Sequence, residues 1–361
     1  MNNKVIIGLS GGVDSTIAMK LLKDSNYNVE ALFMKNWDED DNSSGCNALE
    51  DLKYAREACD KLQIKLHTAN FSDQYWNNIF LDFIEEYKKG YTPNPDILCN
   101  KHIKFKVFLE YAQSLGASKI ATGHYARIIN KNNLCFLSLP KDENKDQTYF
   151  LHTLDHNQLS KVIFPLSDFK KDEVKSIAKA NNFSSYKKKE SMGICFIGNK
   201  KFKDFIGRYI DNMPGNIMDP KNNIIGSHKG MFYTTIGQRE GLGIGGLKNV
   251  KNLPWYVYKK DLKNNNLYVC QGNENDLLFS KKIFFNNLQL ITKNNDDILK
   301  RELNIQIRHL GKKYSCKIER LNNNYIAVSK EKIRAPAPGQ SLVIFDKDIC
   351  LGGGIIINNE E

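Results

Sequence analysis

The stretch that decides the fold reads Lys4-Val5-Ile6-Ile7-Gly8-Leu9-Ser10-Gly11-Gly12-Val13-Asp14-Ser15. Its apolar first half predicts a buried strand, and the pattern at residues 16–23 predicts a helix directly after it. Adjacent glycines let the backbone turn sharply and approach an anion closely. The amides of the turn and the helix dipole favour negative charge there, and the Ser10 and Ser15 hydroxyls add donors. The stretch therefore predicts a phosphate-binding turn.

This turn differs from two common phosphate-binding motifs. No Gly-Lys-Ser/Thr follows it, as in a Walker P-loop, and its glycines are not spaced as Gly-x-Gly-x-x-Gly. It resembles instead the pyrophosphate loop of enzymes that cleave ATP between the α- and β-phosphates and adenylate a substrate. The alternative interpretation is an ordinary strand-to-helix turn with a Ser or Asp cap.

Residues 1–125 alternate between strand and helix patterns, which predicts an α/β fold with a doubly wound parallel sheet and helices on both faces. The predicted strands are residues 5–9, 29–34, 66–70 and 119–122, and the predicted helices are 16–23, 48–62, 74–88 and 105–115. Ligands of such sheets bind beyond the carboxyl ends of the strands, where the Ser-Gly-Gly turn would lie.

The rest of the chain changes character twice. Residues 126–200 mix short strands with a helix at 171–181, and from residue 201 glycine-rich turns accompany strands at 255–258 and 267–270. Short alternating strands dominate from about residue 280, which predicts a small β-barrel or sandwich. We therefore predict a catalytic domain over residues 1–200, a small central domain over 201–277 and a C-terminal β-barrel over 278–361.

Charge is distributed unevenly along the 361 residues. The net charge is +11, and residues 201–361 account for +9 of it. A basic C-terminal half suggests a polyanionic partner such as nucleic acid, although solvated lysine faces are also common. No run approaches 18 consecutive apolar residues, and the N-terminus reads as a strand and not as a targeting peptide. We expect a cytoplasmic protein that does not span a membrane.

Six of the eight cysteines carry no evident function. There is no C-x-x-C and no Cys/His cluster, so we expect no zinc site and assign no residue to a metal. Five cysteines lie in strand or helix patterns and are expected to be small buried hydrophobes: Cys59, Cys135, Cys270, Cys316 and Cys350.

Cys99 and Cys195 stand out by context. Cys99 follows Pro93-Asn94-Pro95-Asp96, and the two prolines predict a stiff loop that displays Asn94 and Asp96. The lysines that follow, and a helix expected to begin there, would lower the pKa of the Cys99 thiol. Cys195 lies between glycines after the basic run 187–189. A single cysteine so placed is usually a packing residue, but two beside an adenylating loop suggest chemistry.

Ordered motifs along nearly the whole chain resemble the tRNA-specific 2-thiouridylase family. Besides residues 8–15 and the segment from Pro93 to Asn100, they read as follows: Ala121-Thr122-Gly123-His124-Tyr125-Ala126, Lys145-Asp146-Gln147, Gly193-Ile194-Cys195-Phe196-Ile197-Gly198, Thr235-Ile236-Gly237-Gln238-Arg239, Pro338-Gly339-Gln340-Ser341 and Cys350-Leu351-Gly352-Gly353-Gly354. The resemblance implies an N-terminal fold like that of the adenine nucleotide α-hydrolases, and ATP-dependent 2-thiolation of the wobble uridine of tRNA. The uridine C2 oxygen would be adenylated, and sulfur would displace AMP.

The resemblance also implies roles for individual residues. Cys195 would carry a persulfide, Cys99 would be the nucleophile that forms a transient disulfide with it, and Asp96 is a candidate general acid/base. ATP would contact Gly8, Leu9, Ser10, Gly11, Gly12, Val13, Asp14, Ser15, Met34 and Gly123. The tRNA would contact Asn94, Pro95, Asp96, His124, Lys145, Asp146, Gln147, Arg308, His309 and Gln340. We further expect Mg²⁺ with the ATP, a cysteine desulfurase or relay protein as sulfur donor, and a monomer.

Two other functions fit parts of the sequence. An adenylating ligase that acts on a small molecule would share the loop but would need no paired cysteines. A non-catalytic RNA-binding protein with a relic nucleotide loop would bind tRNA without releasing pyrophosphate, and the intact loop argues against it.

Overall fold

The computed structural model describes residues 3–37, 47–188, 205–211, 213–244, 253–292 and 299–357. Cys195 and the motif around it lie outside the described residues, so their predicted role is not addressed by the fold.

Five parallel strands form the N-terminal sheet, with β1 at its centre. Their spatial order is β3 (Leu66–Asn70), β2 (Asn28–Lys35), β1 (Lys4–Gly8), β4 (Lys119–Ala121) and β7 (Val162–Ile163). β1 pairs with β2 on one side and with β4 on the other. The loop after β1 therefore lies at the switch point of the sheet, where ligands of this fold class bind. The two-residue strand β7 is too short to leave a sequence pattern.

Helices cover both faces of this sheet. In chain order they are α1 (Val13–Asp24), α2 (Asn47–Leu62), α3 (Ser72–Tyr75), α4 (Leu81–Lys88), α5 (Pro95–Cys99), α6 (Phe108–Ser114), α7 (Thr148–Leu151), α8 (His156–Ser160) and α9 (Lys171–Ala180). Ile6 packs into the cluster that contains α3 to α6, whereas Val5 and Ile7 pack against α1, α2 and α9. This alternation along β1 confirms the predicted doubly wound sheet.

The prediction of a stiff loop before Cys99 is wrong. Asn94 caps a helix, since its Oδ1 accepts hydrogen bonds from the amides of Asp96 at 3.0 Å and Ile97 at 3.4 Å. Pro95 occupies the first helical position, where the missing N–H is not needed. A π-helical segment, Asn100–Val107, continues α5 into α6. Cys99 therefore lies inside a continuous helical run and not before the N-terminus of a separate helix.

A closed six-stranded barrel forms the C-terminal part, as predicted. Its strands are β12 (Phe279–Leu290), β13 (Leu303–Gln306), β14 (Tyr314–Leu321), β15 (Asn324–Arg334), β16 (Ser341–Asp346) and β17 (Ile349–Ile356). Pairing of β12 with both β15 and β17 closes the barrel. A hairpin from the N-terminal half, β5 (Arg127–Lys131) and β6 (Leu134–Ser138), extends the barrel sheet through β17.

A four-stranded sheet lies between these parts of the chain. Its spatial order is β10 (Trp255–Asp261), β11 (Asn266–Gln271), β8 (Gly215–Met218) and β9 (Ile224–His228). The five cysteines expected to be core residues are all buried. Within the described ranges, no helix has the length and apolar character needed to cross a bilayer.

Candidate active site

The turn between β1 and α1 is held in a shape that only glycine tolerates at one position. Gly11 has φ +71°, and a Cβ there would lie 2.2 Å from the Asp51 carbonyl oxygen. Gly12 takes the N-cap position of α1 in an extended conformation and has no side chain to cap the helix. The first amides of α1 are therefore not capped by this residue's side chain, as an anion-binding helix end requires.

Two serine hydroxyls form hydrogen bonds within the turn. Ser15 Oγ accepts a hydrogen bond from the Ser10 amide at 3.2 Å and donates one to the Gly12 carbonyl at 3.1 Å. The Ser10 and Ser15 hydroxyls are also 3.2 Å apart. Both can rotate toward an incoming phosphate oxygen, because a hydroxyl is a donor that turns freely about its C–O bond.

Met34 and Gly123 border this turn. A Cβ on Gly8 would lie 3.2 Å from Met34 Cε, so the thioether of Met34 closes over the end of β1. A Cβ on Gly123 would lie 2.7 Å from the Ser15 amide nitrogen, so the segment after β4 passes directly against the start of α1. The structure thus brings together residues 8–15, Met34 and Gly123, which the sequence assigned to one nucleotide site.

Lys171 is a residue of this site that the sequence analysis missed. Its ammonium contacts Asp14 Oδ1 at 2.8 Å and Oδ2 at 2.7 Å, and the Tyr125 hydroxyl donates to Asp14 Oδ1 at 2.9 Å. The Lys171 side chain is 8% exposed, so the charge is held inside the protein. In the sequence it is one lysine of a helical pattern, and only the tertiary fold places it beside the loop.

Cys99 and Asp96 are presented by the capped helix α5. Cys99 is fully buried in the same apolar cluster as Ile6, and Met34 packs against that cluster. Asp96 is half-buried one turn earlier. Beside Cys99, Asn100 donates to the Phe150 carbonyl at 3.0 Å, while its buried Oδ1 has no hydrogen-bond partner among the described residues. A buried acceptor of this kind is an available contact for a polar ligand.

Two predicted RNA-contacting motifs meet beside Gly123. His124 Nδ1 is 2.7 Å from Thr122 Oγ1, and burial, with a smaller effect of Lys104, holds the pKa of His124 well below its usual value, so its ring is neutral. Gln147 Oε1 accepts a hydrogen bond from the Tyr125 amide at 2.9 Å. The Lys145-Asp146-Gln147 turn is therefore fixed to the segment that follows Gly123.

The Asp146 carboxylate is buried and supports the turn from within. It accepts hydrogen bonds from the Thr148 amide at 2.9 Å and from the Thr148 hydroxyl at 2.8 Å. Burial raises the pKa of Asp146. His309 on the barrel lies 2.6 Å from the Asp146 carbonyl and therefore donates from Nε2. Its ring centre is 4.4 Å from that of Phe150.

Arg308 and Gln340 form hydrogen bonds to segments that are distant in the sequence. Arg308 Nη2 donates to the carbonyls of Ile236 at 3.2 Å and Ala335 at 3.0 Å. Gln340 Nε2 donates to the Thr92 carbonyl at 2.5 Å, just before the Asn94 cap. Both side chains were predicted to contact RNA, and both are half-buried and engaged inside the protein.

The chain that leads toward Cys195 is anchored close to the nucleotide turn. Lys188, the last described residue before the gap, forms an ion pair with Asp51, whose carbonyl faces Gly11. Its ammonium also lies 5.4 Å from the centre of the Tyr54 ring. Lys188 is therefore held beside the phosphate turn.

Three family models match successive parts of the chain. They are described as a tRNA methyl transferase HUP domain over residues 3–199, a tRNA methyl transferase PRC-barrel domain over 203–271 and an aminomethyltransferase beta-barrel domain over 280–356.

Curated relatives match almost the whole chain. A protein of Pseudomonas entomophila (strain L48) named tRNA-specific 2-thiouridylase MnmA is 49% identical over 354 residues, which cover 98% of this chain and 94% of that protein. The protein of the same name from Pseudomonas putida (strain GB-1) is also 49% identical over 354 residues, with the same shares of both chains.

Solved structures are more distant. The U34-tRNA thiolase NcsA of Methanococcus maripaludis is 21% identical, with a TM-score of 0.35 over 58% of this chain and 64% of that one. A 4-thiouridine synthetase solved with RNA and ATP is 18% identical, with a TM-score of 0.35 over 55% of this chain and 46% of that one.

Proposed function

The chain belongs to the tRNA-specific 2-thiouridylase family, and on that premise we propose that it replaces the C2 oxygen of the tRNA wobble uridine with sulfur in an ATP-dependent reaction. It is then a tRNA-uridine 2-sulfurtransferase. The observation that carries the proposal is the nucleotide turn closed by Met34 and Gly123, combined with the capped helix that presents Asp96 and Cys99. Two of the matching family models are described as tRNA methyl transferase domains. Methyl transfer does not need a phosphate-binding turn of this kind, whereas adenylation by ATP does.

The reaction divides into activation and sulfur transfer. The uridine C2 oxygen attacks the α-phosphorus of ATP, pyrophosphate leaves, and the N3 proton departs to a base. The terminal sulfur of a persulfide then attacks C2, and AMP leaves with the original oxygen. Attack of a second thiolate on the inner sulfur releases the thiolated base and forms a disulfide, which an external thiol reduces.

We assign these steps to residues as follows. The amides and hydroxyls of residues 8–15 hold the phosphates, Met34 and Gly123 flank the adenosine, and Asp96 accepts the N3 proton. Cys195 carries the persulfide and Cys99 is the resolving thiol. The anticodon region contacts Asn94, Pro95, Asp96, His124, Lys145, Asp146, Gln147, Arg308, His309 and Gln340. For Asp146, Gln147, Arg308 and Gln340, the internal hydrogen bonds also hold the segments that face the RNA.

Mg²⁺ fits the nucleotide turn only as a companion of ATP. No group of three or more His, Cys, Asp or Glu side chains that could hold a metal occurs among residues that the structure describes. Magnesium commonly uses phosphate oxygens, waters and one or two carboxylates. Lys171 and Tyr125 already engage both oxygens of the Asp14 carboxylate, so we assign no protein ligand to the ion, which would be held by phosphate oxygens and water and would neutralise phosphate charge.

Partners and organisation complete the proposal. The sulfur comes from a cysteine desulfurase or a sulfur-relay protein, and the enzyme acts as a monomer in the cytoplasm. The proposed domains are residues 1–200, 201–277 and 278–361, which the positions of the three matching family models support.

Thiolation of an unmodified tRNA transcript tests the proposal directly. Purified protein, ATP, Mg²⁺ and a persulfide donor should yield 2-thiouridine at the wobble position, measured by mass spectrometry of nucleosides, with one AMP for each sulfur inserted. Cys99→Ser and Cys195→Ser should each abolish 2-thiouridine. Cys135→Ser is a matched control, because Cys135 Sγ donates to Asn130 Oδ1 at 3.1 Å and a serine hydroxyl can do the same.

Two outcomes would contradict the proposal. Full thiolation by both Cys99→Ser and Cys195→Ser would show that the reaction does not use the proposed persulfide mechanism. ATP consumption on a small metabolite, with no thiolated RNA, would instead support the adenylating ligase.

A further inference from the structure

A cavity lies where the N-terminal half, the central sheet and the barrel meet. Its volume is about 360 Å³, within the range of about 300–1,000 Å³ that small-molecule sites occupy. One wall is the segment Gly90 to Thr92 after α4, a second is β10 with Tyr258 and Lys260, and a third is β12 of the barrel. None of the residues assigned to catalysis or to ATP or tRNA contacts lines this cavity.

The charge of its lining is of one sign. Four lysines and no Asp or Glu appear among the described residues that line it; the lysines are Lys89, Lys259, Lys260 and Lys282. Lys89 pairs with Glu86 at 2.9 Å, whereas Lys260 donates to the carbonyl of Gly90 at 2.8 Å. An ammonium group has three N–H donors, and the Gly90 carbonyl accepts a hydrogen bond from one of the three on Lys260. Burial lowers the pKa of Lys260 to about 7, and a bound anion would restore its charge.

The lining also includes apolar and aromatic side chains. Tyr258 and Phe284 line the cavity, together with aliphatic side chains such as Ile236 and Ile356. A bare phosphate ion would leave this surface unused. A nucleotide has a phosphate for the lysines and a flat base for the aromatic and aliphatic wall, and stacking on such walls is how proteins hold unpaired bases.

The cavity is coupled to the active site through one short segment. The Thr92 amide donates to the Pro338 carbonyl at 2.8 Å, and the Thr92 carbonyl accepts from Gln340. Gly90 has φ +74°, and a Cβ there would lie 2.5 Å from Leu262 Cδ2, so this wall packs closely against the Leu262 side chain. Two residues after Thr92, Asn94 begins the helix that presents Asp96 and Cys99.

We propose that this cavity binds one nucleotide of the RNA substrate other than the reacting uridine, with its phosphate at Lys260 and its base against Tyr258 and Phe284. The inference rests on the proposed function, and RNA is favoured over a free nucleotide because the wall continues into the segment that meets the reacting base. Occupation of the cavity by the bound strand would fix the register of the uridine above Asp96.

Salt-dependent binding of an unmodified tRNA transcript tests the site. Lys260→Gln should weaken binding about tenfold and should reduce the slope of log K against log[KCl] by about 0.7, the value for one phosphate contact to a single strand. Lys282→Gln, on the opposite wall, should also weaken tRNA binding and reduce the salt slope. Because Lys282 is exposed, this variant does not disturb a buried side chain. Lys263→Gln is the matched control, since Lys263 is exposed on the β10–β11 turn and does not line the cavity.

The thiolation assay separates the two proposals. If wild-type protein thiolates RNA while Lys260→Gln and Lys282→Gln keep the wild-type affinity and salt slope, the cavity assignment is wrong and the proposed function stands. If wild-type protein makes no 2-thiouridine, the function itself fails. Calorimetric titration with AMP adds a third arm: a second AMP equivalent that Lys260→Gln removes would assign the cavity to a free nucleotide and overturn the RNA assignment.

Discussion

Lys171 at the start of α9 contacts both carboxylate oxygens of Asp14 in the first turn of α1, at 2.7 and 2.8 Å. Elements 157 residues apart are thereby joined at the turn that is proposed to hold a triphosphate. The ion pair neutralises the carboxylate, which would otherwise repel the anion. The Tyr125 hydroxyl on the same carboxylate extends the contact to the segment after Gly123.

Removal of the Lys171 charge should weaken ATP binding. Lys171→Met leaves the Asp14 carboxylate beside the phosphates without its cation, and we expect the KM for ATP to rise about tenfold, the size of one charge-assisted hydrogen bond. Lys171→Arg should restore most of the affinity. Lys170→Met, which changes an exposed neighbour, serves as the control. An unchanged KM in Lys171→Met would show that this ion pair has no part in nucleotide binding.

Gly11 should not tolerate a side chain. Gly11→Ala adds a Cβ 2.2 Å from the Asp51 carbonyl oxygen, in addition to the strain of a left-handed backbone, which is about 1–2 kcal/mol. Gly116→Ala is the control, because Gly116 has φ +81° and a Cβ there would meet no atom within 4 Å. It therefore has the backbone strain without the steric clash. Thermal unfolding should show a greater loss of stability for Gly11→Ala, accompanied by loss of AMP formation. Equal losses in the two variants would refute a close approach at the turn.

Gln340 should affect catalysis through Thr92. Gln340→Ala removes the donor to the Thr92 carbonyl, and a lost hydrogen bond of about 1 kcal/mol predicts a several-fold fall in kcat for thiolation with the KM for ATP unchanged. Gln271→Ala removes the same kind of bond, to the Leu253 carbonyl at 3.2 Å, and should leave kcat at the wild-type value. If Gln340→Ala left kcat unchanged and weakened only the affinity for tRNA, the bond to Thr92 would have no part in catalysis, and only the proposed RNA contact of Gln340 would remain.

His152 should make the fold sensitive to acid. It is buried, donates from Nδ1 to the Tyr149 carbonyl at 2.8 Å, and burial lowers its pKa from 6.5 to about 4. The unfolded chain then binds more protons than the folded chain between these values. The stabilisation is complete above pH 6.5, is lost as the pH falls toward 4, and amounts to about 3 kcal/mol.

Chemical denaturation at several pH values measures this effect. The free energy of unfolding of the wild-type protein should fall between pH 6.5 and 4, and His152→Gln should show a shallower slope over the same interval. A constant difference between the two proteins at every pH would contradict the assignment to His152.

Much of the architecture follows from local patterns. The alternation of residues 1–125 predicted the parallel sheet, and the period-two pattern after residue 280 predicted the barrel, because burial of one face forces side chains to alternate along a strand. Sequence patterns do not predict the helix at Pro95, because proline within a segment usually breaks a helix. At the first helical position it needs no N–H, and the preceding Asn94 supplies the cap.

The sequence by itself determined the sharp turn between β1 and α1, since adjacent glycines there permit the left-handed backbone that Gly11 adopts. It also identified the family, through motifs that keep their order along the chain. Only the tertiary structure decided that Lys171 faces Asp14, that Gln340 holds Thr92, and that lysines from three parts of the chain share one cavity. These contacts join residues far apart in the sequence, and which distant side chains meet depends on how helices and sheets pack, which local periodicity does not encode.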